Sequence, residues 1–254
     1  SLGIIYFGLM AKTFVPQPKI RMIKRLLMDL INTRVDLFNS RLIIYYNHLT
    51  NNDKWIIKFL KGKRKGFFIE AGAFDGITNS CTYTLEKYYG WTGILIEPSI
   101  IFNQLNKNRS KSKCVNALLG KENLKETFMF FPKAPMSSCT ESNFTRHKIR
   151  VIESHNGKHK FDVVKKKIKT KTLLDVLINN NAPKIIDYLA LDIEGNEFEV
   201  LKNFPFDKYK IRCISIEGDS CNELLVSKGY KQVKNKFNRK ANWENYFVLK
   251  NQII

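Results

Sequence analysis

The sequence lacks the cysteine pattern that a zinc site or a disulfide framework requires. Its five cysteines (Cys81, Cys114, Cys139, Cys213 and Cys221) include no C-x-x-C pair, are odd in number and are irregularly spaced. A reducing compartment such as the cytoplasm is the expectation that follows. Long apolar runs are also missing. None approaches the ~20 residues needed to cross a bilayer. The longest near the start, "LGIIYFGLM", has no basic stretch before it and no small-residue cleavage site after it, so neither a transmembrane helix nor a secretory signal is expected. Acidic residues are scarce: 23 Asp and Glu stand against 43 Lys and Arg, a net charge of +20. That imbalance favours anionic partners such as RNA, phosphorylated sugars or a membrane surface, and says nothing about fold.

What is present is enough apolar material for a real core: 44% of 254 residues are hydrophobic and 12% aromatic. Residues 19–50 carry Ile20, Ile23, Leu26, Leu27 and Leu30 at helical spacing with basic residues between them, after Pro16 and Pro18. Residues 1–51 therefore read as an N-terminal helical extension and 52–254 as the main domain. "NNDKWIIKFLKG" reads as the domain's first helix, with Asn52 or Asp53 as its cap and Gly62 at its end.

Beyond it the period changes. "GFFIEAG", "GILIEPS", "KCVNALLG", "DYLALDIEG" and "RCISIEG" are short apolar runs that mostly close on an acid, and helix-length segments separate several of them. Alternation of this kind predicts an α/β fold with a mainly parallel sheet, whose strands are apolar throughout because helices cover both faces. "KGYKQVKNKF" and "NWENYFVLK" have no helix between them and predict an antiparallel C-terminal hairpin. Residues 131–171 have weak periodicity and read as an insertion or lid, with "KKKIKTK" as a solvated cationic run or a phosphate contact.

In such sheets ligands bind beyond the carboxyl ends of the strands, where strand order reverses. Glu70 lies at one such end, and Gly72 and Gly76 permit a tight turn with close backbone approach. There is no G-x-G-x-x-G here, and the acids of "EAGAFDG" would repel a pyrophosphate. A ligand with a cationic group fits better. The second strand ends in Glu97-Pro98, where an acid can accept hydrogen bonds from both ribose hydroxyls. A ribose, an ammonium and a sulfonium together describe S-adenosylmethionine. The bland alternative is that Glu70 and Glu97 only cap neighbouring helices.

"FFIEAGAFDGITNSCTYTLEKYYGWTGILIEPS" followed by "DYLALDIEGNEFEVL" resembles the FkbM-type methyltransferases, with smaller matches in "VNALLG", "TKTLLDVL" and "ISIEG". The resemblance runs from about Asn52 to Tyr246. It implies a class I, Rossmann-like methyltransferase sheet of seven strands with the last one antiparallel. It also implies that Glu70, Gly72, Asp75 and Gly76 form the cofactor loop, that Glu97 binds the ribose, and that Asn116 lies where such folds contact adenine. Asn79, Ser80 and Thr82 resemble an S-N-T run of one branch of the family, with Cys81 in place of its asparagine.

Asp192, Glu194 and Glu197 match the family's D-x-E-G-x-E motif. Strand alternation puts Asp192 and Glu194 on one side, and Glu217 ends the next strand. Carboxylates converging there raise one another's pKa or bind a divalent cation such as Mg²⁺. Either outcome suits O-methyl transfer to a sugar, glycan or related hydroxyl, with Asp192 as base or metal ligand supported by Glu194 and Glu217. The alternative for Glu194 and Glu197 is that they charge a helix N-terminus. His147 is a weaker candidate for a base in the insertion, and "MSSCTESNF" for a lid segment. Two competing functions remain open: an RNA ribose 2′-O-methyltransferase using a Lys-Asp-Lys-Glu set, with Lys202 as one available lysine, and a non-catalytic scaffold.

Overall fold

The computed structural model describes residues 46–132, 135–144, 163–238 and 242–250. The predicted helix over 19–50 therefore lies almost wholly outside the described residues, as does His147. Residues 46–51 are turn and irregular chain rather than helix.

The main sheet comprises β1 (Phe67–Ala71), β2 (Thr92–Ile96), β3 (Lys113–Val115), β7 (Ile185–Leu191), β8 (Lys210–Glu217), β9 (Tyr230–Val233) and β10 (Glu244–Leu249). Its order is β3-β2-β1-β7-β8-β10-β9. The central parallel strands β1, β2, β7 and β8 form on the apolar runs of the sequence. β10 runs antiparallel to both β8 and β9 and lies between them. The C-terminal hairpin is thus as predicted, and the sheet is that of a class I methyltransferase.

Successive residues feed opposite cores. Ile69, Ile94, Leu189 and Ile214 pack on one face; Phe68, Leu95, Tyr188 and Cys213 pack on the other. This is why the strands show no polar alternation. The helices α1 (Asn52–Phe59), α2 (Tyr83–Tyr89) and α3 (Phe102–Asn108) cover the second face through Trp55, Ile56, Leu85 and Leu105. The first face is covered by α4 (Leu173–Asn179), α5 (Glu197–Leu201) and α6 (Asn222–Ser227), through Leu173, Leu201 and Leu225. A capping box between Thr172 and Asp175 fixes the start of α4, a device worth ~0.5–2 kcal/mol. The predicted cap of α1 is corrected: Asn51 is the cap residue, its side chain donating to the Phe237 carbonyl rather than capping the helix, while Asn52 and Asp53 are fully buried.

Part of the middle region is described. β4 (Lys125–Phe130), β5 (Cys139–Thr140) and β6 (Val164–Lys169) form a second, antiparallel sheet in the order β5-β4-β6. The cationic run is the edge strand β6. Five of its six residues are exposed, so no apolar alternation marked it as a strand.

The chain leaves β1 outward toward β2 and β3, then returns to build β7 and β8 on the other side. Strand order therefore reverses between β1 and β7, which makes their carboxyl ends the place for a ligand.

Candidate active site

The loop after β1 is held from below rather than left open. Glu70 is buried, and its Oε2 accepts from Ser80 Oγ at 2.8 Å and from the Thr82 hydroxyl, while Oε1 accepts from the Cys81 amide at 2.7 Å. Burial pushes its pKa up, and the Arg109 guanidinium and these donors oppose that rise. Ser80 is itself buried and accepts from the amides of Thr82 and Tyr83. Asp75 is used locally: its Oδ1 accepts from the Ile77 and Thr78 amides at 2.8 and 2.6 Å. Gly76 serves packing, because a Cβ there would lie 2.5 Å from Leu105 and 2.6 Å from Arg109. Glu70, Asp75, Gly76 and Ser80 shape the loop and do not line the cleft.

Gly72 does line it. Its φ is +80°, and a Cβ would fall 1.8 Å from the Asp192 carbonyl oxygen, so only glycine lets the ends of β1 and β7 meet. A cleft opens at the ends of these two strands. Ile96, Glu97, Pro98, Leu118 and Phe128 line one part of it, and Asp192, Ile193 and Glu194 another. Met136, Ser138 and Thr140, from the segment read as a lid, also line it.

Glu97 is nearly buried; Oε2 accepts from the Phe74 amide and Oε1 from the Ser99 amide, both at 2.9 Å. Each oxygen keeps a further lone pair for a ligand. Asn116 is exposed outside the cleft, and its amide donates to the Glu97 carbonyl at 2.8 Å. Ala117, Leu118 and Leu119 occupy the wall instead.

At the other end, single carboxylate oxygens of Asp192, Glu194 and Glu217 lie within 4.8 Å of one another. Asp192 and Glu217 share a hydrogen bond. Burial, then the charges of Glu217 and Glu194, hold Asp192 well above the usual carboxylate range. Burial first and Glu194 second push Glu217 up to about 7. Glu197 is spent on the loop: its Oε1 accepts from the amides of Ile193 and Gly195 at 3.0 and 3.2 Å. Lys202 is elsewhere, paired with Glu199 at 2.7 Å on an exposed helix surface. No lysine among the described residues lines the cleft.

Three contributors escaped the sequence reading. Glu244 begins β10 directly opposite Glu217, and burial followed by the Asp192 charge pushes it up to about 8. Asn52 donates to Glu244 at 2.7 Å and accepts from the Tyr246 hydroxyl at 2.7 Å, tying α1 to the acids. Arg109 is fully buried beneath the loop, donating to the Gly76 carbonyl at 2.9 Å, Ser80 Oγ at 3.2 Å and Thr82 Oγ1 at 3.0 Å.

Among solved structures, the chain is similar to the METTL16 MTase domain, with 17% identity, TM-score 0.43, and coverage of 83% of this chain and 71% of that one. A methyltransferase from Pyrococcus furiosus gives 17% identity, TM-score 0.36, and coverage of 89% and 98%. TrmK of M. capricolum, in complex with S-adenosyl-homocysteine, gives 12% identity, TM-score 0.38, and coverage of 76% and 65%. No curated protein matches the chain. The model of the methyltransferase FkbM domain matches residues 70–223, more than half of the chain and including every acid of the cleft, and the protein belongs to that family.

Proposed function

We propose that the protein transfers a methyl group from S-adenosylmethionine to a hydroxyl oxygen of a sugar, glycan or related small molecule. The observation that carries this reading is the convergence of Asp192, Glu194 and Glu217, with single carboxylate oxygens within 4.8 Å of one another where Asp192 and Glu194 line the cleft; Glu217 is pushed up to about 7. A hydroxyl must lose its proton as it is methylated, and a base that titrates near neutrality is suited to take it. S-adenosylmethionine supplies the methyl carbon on a cationic sulfur. The remaining work belongs to the chain: to bind, to align and to accept the proton.

The residues present fit such a cofactor. The free lone pairs of Glu97 suit two ribose hydroxyls. Ile96, Pro98, Leu118 and Phe128 offer an apolar wall for a flat base. The acids around Asp192 favour a cationic methionine end. Asn116 acts through the backbone of Glu97 rather than on the base itself. Arg109, Glu70 and Ser80 are positioning residues for the loop. Alignment of this kind contributes on the order of 7–11 kcal/mol when reacting atoms are held near attack geometry.

A second reading puts a divalent cation such as Mg²⁺ among Asp192, Glu194 and Glu217, and their mutual approach favours it. Loss of transfer on adding a chelator, restored by Mg²⁺, would select it over the base. The RNA 2′-O-methyltransferase reading lacks a lysine in the cleft among the described residues. The five free thiols support a reducing, cytoplasmic setting. Among the described residues, no helix is long and apolar enough to cross a membrane.

The test is Asp192→Asn, assayed with labelled S-adenosylmethionine against a panel of glycans and RNA. Transfer should be abolished while S-adenosylhomocysteine still binds. Near-normal turnover would remove Asp192 from the chemistry. For the wild type, kcat/KM should rise as pH is raised through about 7, because the pair acts only after losing its proton.

A further inference from the structure

The small sheet has two unlike faces. Cross-strand partners share a face, so the register Phe128↔Lys166 and Glu126↔Ile168 defines one side, and Lys125↔Lys169, Thr127↔Lys167 and Met129↔Lys165 the other. The first side packs Phe128, Phe130 and Ile168 onto Leu118 and supplies part of the cleft wall. The second side turns away from the cleft. It carries Lys125, Lys165, Lys167 and Lys169, all exposed.

Three of these lysines run along β6 at every second residue, ~6.6 Å apart by strand geometry. Lys125 extends the row sideways, opposite Lys169. Among the described residues Lys165 alone forms an ion pair, with Glu141 at 2.5 Å, both groups being exposed. Glu141 also acts on Lys167, and among the described residues Lys125, Lys167 and Lys169 form no ion pair of their own. Like charges placed directly opposite one another destabilise a sheet, so this row costs stability that a mixed surface would not.

We propose that this lysine face is a docking surface for the phosphodiester backbone of a nucleic acid. A straight, regular row of point charges complements a linear polymer that carries one charge per repeat. Neither an aromatic ring nor an arginine lies in the row. Binding to the lysine row itself is therefore sequence-independent and dominated by counterion release. The surface is separate from the acid pair, so it stands whether or not the methyl acceptor is the bound polymer.

The test uses the full chain and single-stranded RNA oligonucleotides of two unrelated sequences, read by fluorescence anisotropy across a salt series. One variant replaces Lys125, Lys165, Lys167 and Lys169 with Gln. A control replaces the exposed Lys61, Lys111, Lys228 and Lys231, which lie off this sheet. Each phosphate contact contributes about −0.7 to the slope of log K against log salt on single strands. The wild type and the control should share a slope that is steeper by about 3 than that of the face variant, alike for both sequences. Equal loss in the two variants would reduce the effect to net charge and overturn the proposal. So would absence of RNA binding by the wild type, including the case where the face variant instead loses binding to anionic lipid vesicles. S-adenosylhomocysteine binding should be the same in all three proteins, which keeps this outcome separate from that of the methyl-transfer reading.

Discussion

Replacing Arg109 with Met would remove the charge that holds the cofactor loop while keeping most of the apolar stem. The guanidinium is fully buried, 3.8 Å from Glu70 and 3.3 Å from Glu86, and stacks near the Phe68 ring. Its loss would leave two buried carboxylates without their cation. Breaking a buried ion pair from one side costs ~3–5 kcal/mol. At ~2–4 °C per kcal/mol for a chain of this size, Tm should fall by roughly 6–20 °C. The sign of the pH dependence follows from Glu70. Burial already raises its folded pKa, and Arg109 works against that rise. Without Arg109 the folded value climbs further above the unfolded one. A carboxyl with a raised folded pKa binds more protons when folded, so stability drops as pH rises from the ordinary carboxylate range toward that folded value. The deficit of Arg109→Met should therefore be larger at pH 7.5 than at pH 5. Urea unfolding at the two pH values measures it. A deficit below about 1 kcal/mol, the same at both pH values, would refute the role of Arg109 as the loop's buried counter-charge.

Gly72→Ala should cost on the order of 2–5 kcal/mol, from a strained φ and an overpacked contact with the Asp192 carbonyl, and thermal unfolding reads it directly. Loss of cofactor binding should accompany it, since β1 and β7 can no longer meet at the cleft floor. Glu244→Gln should stabilise the protein at alkaline pH and have little effect near pH 5. The folded Glu244 titrates near 8, so stability is lost as pH rises from the ordinary carboxylate range to about 8 and stays lost above it, whereas Gln keeps the acceptor for Asn52. A Tm difference between variant and wild type that does not grow from pH 5 to pH 9 would contradict this.

How much of this was legible in the sequence differs from residue to residue. β1, β2, β7 and β8 were readable because burial on both faces makes a run apolar, and Gly72 and Glu97 were readable because they sit where such runs end. Glu70 was readable as important but not in its role: the sequence does not show that Ser80, Cys81 and Thr82 fold back onto its carboxylate. Arg109 looked like any other basic residue at the end of a basic helix, and only the fold reveals that it points inward. Glu244 depends on the register of β10 against β8, which the hairpin pattern does not specify to one residue. β6 was read as a solvated run or a phosphate contact, and its residues are exposed; that it is a strand was not legible, because an exposed edge strand has no apolar period to display.

The central claim is that the cleft binds S-adenosylmethionine with Glu97 on its ribose. Calorimetric titration of S-adenosylhomocysteine into the wild type and Glu97→Gln tests it most directly, with NAD⁺ as the control ligand. Hydrogen bonds to a charged acceptor are worth ~1.5–3 kcal/mol. The account predicts wild-type binding, at least about tenfold weaker binding by the variant, and none of NAD⁺ by either. A wild type that ignores S-adenosylhomocysteine, or a variant that binds it equally well, would contradict the account.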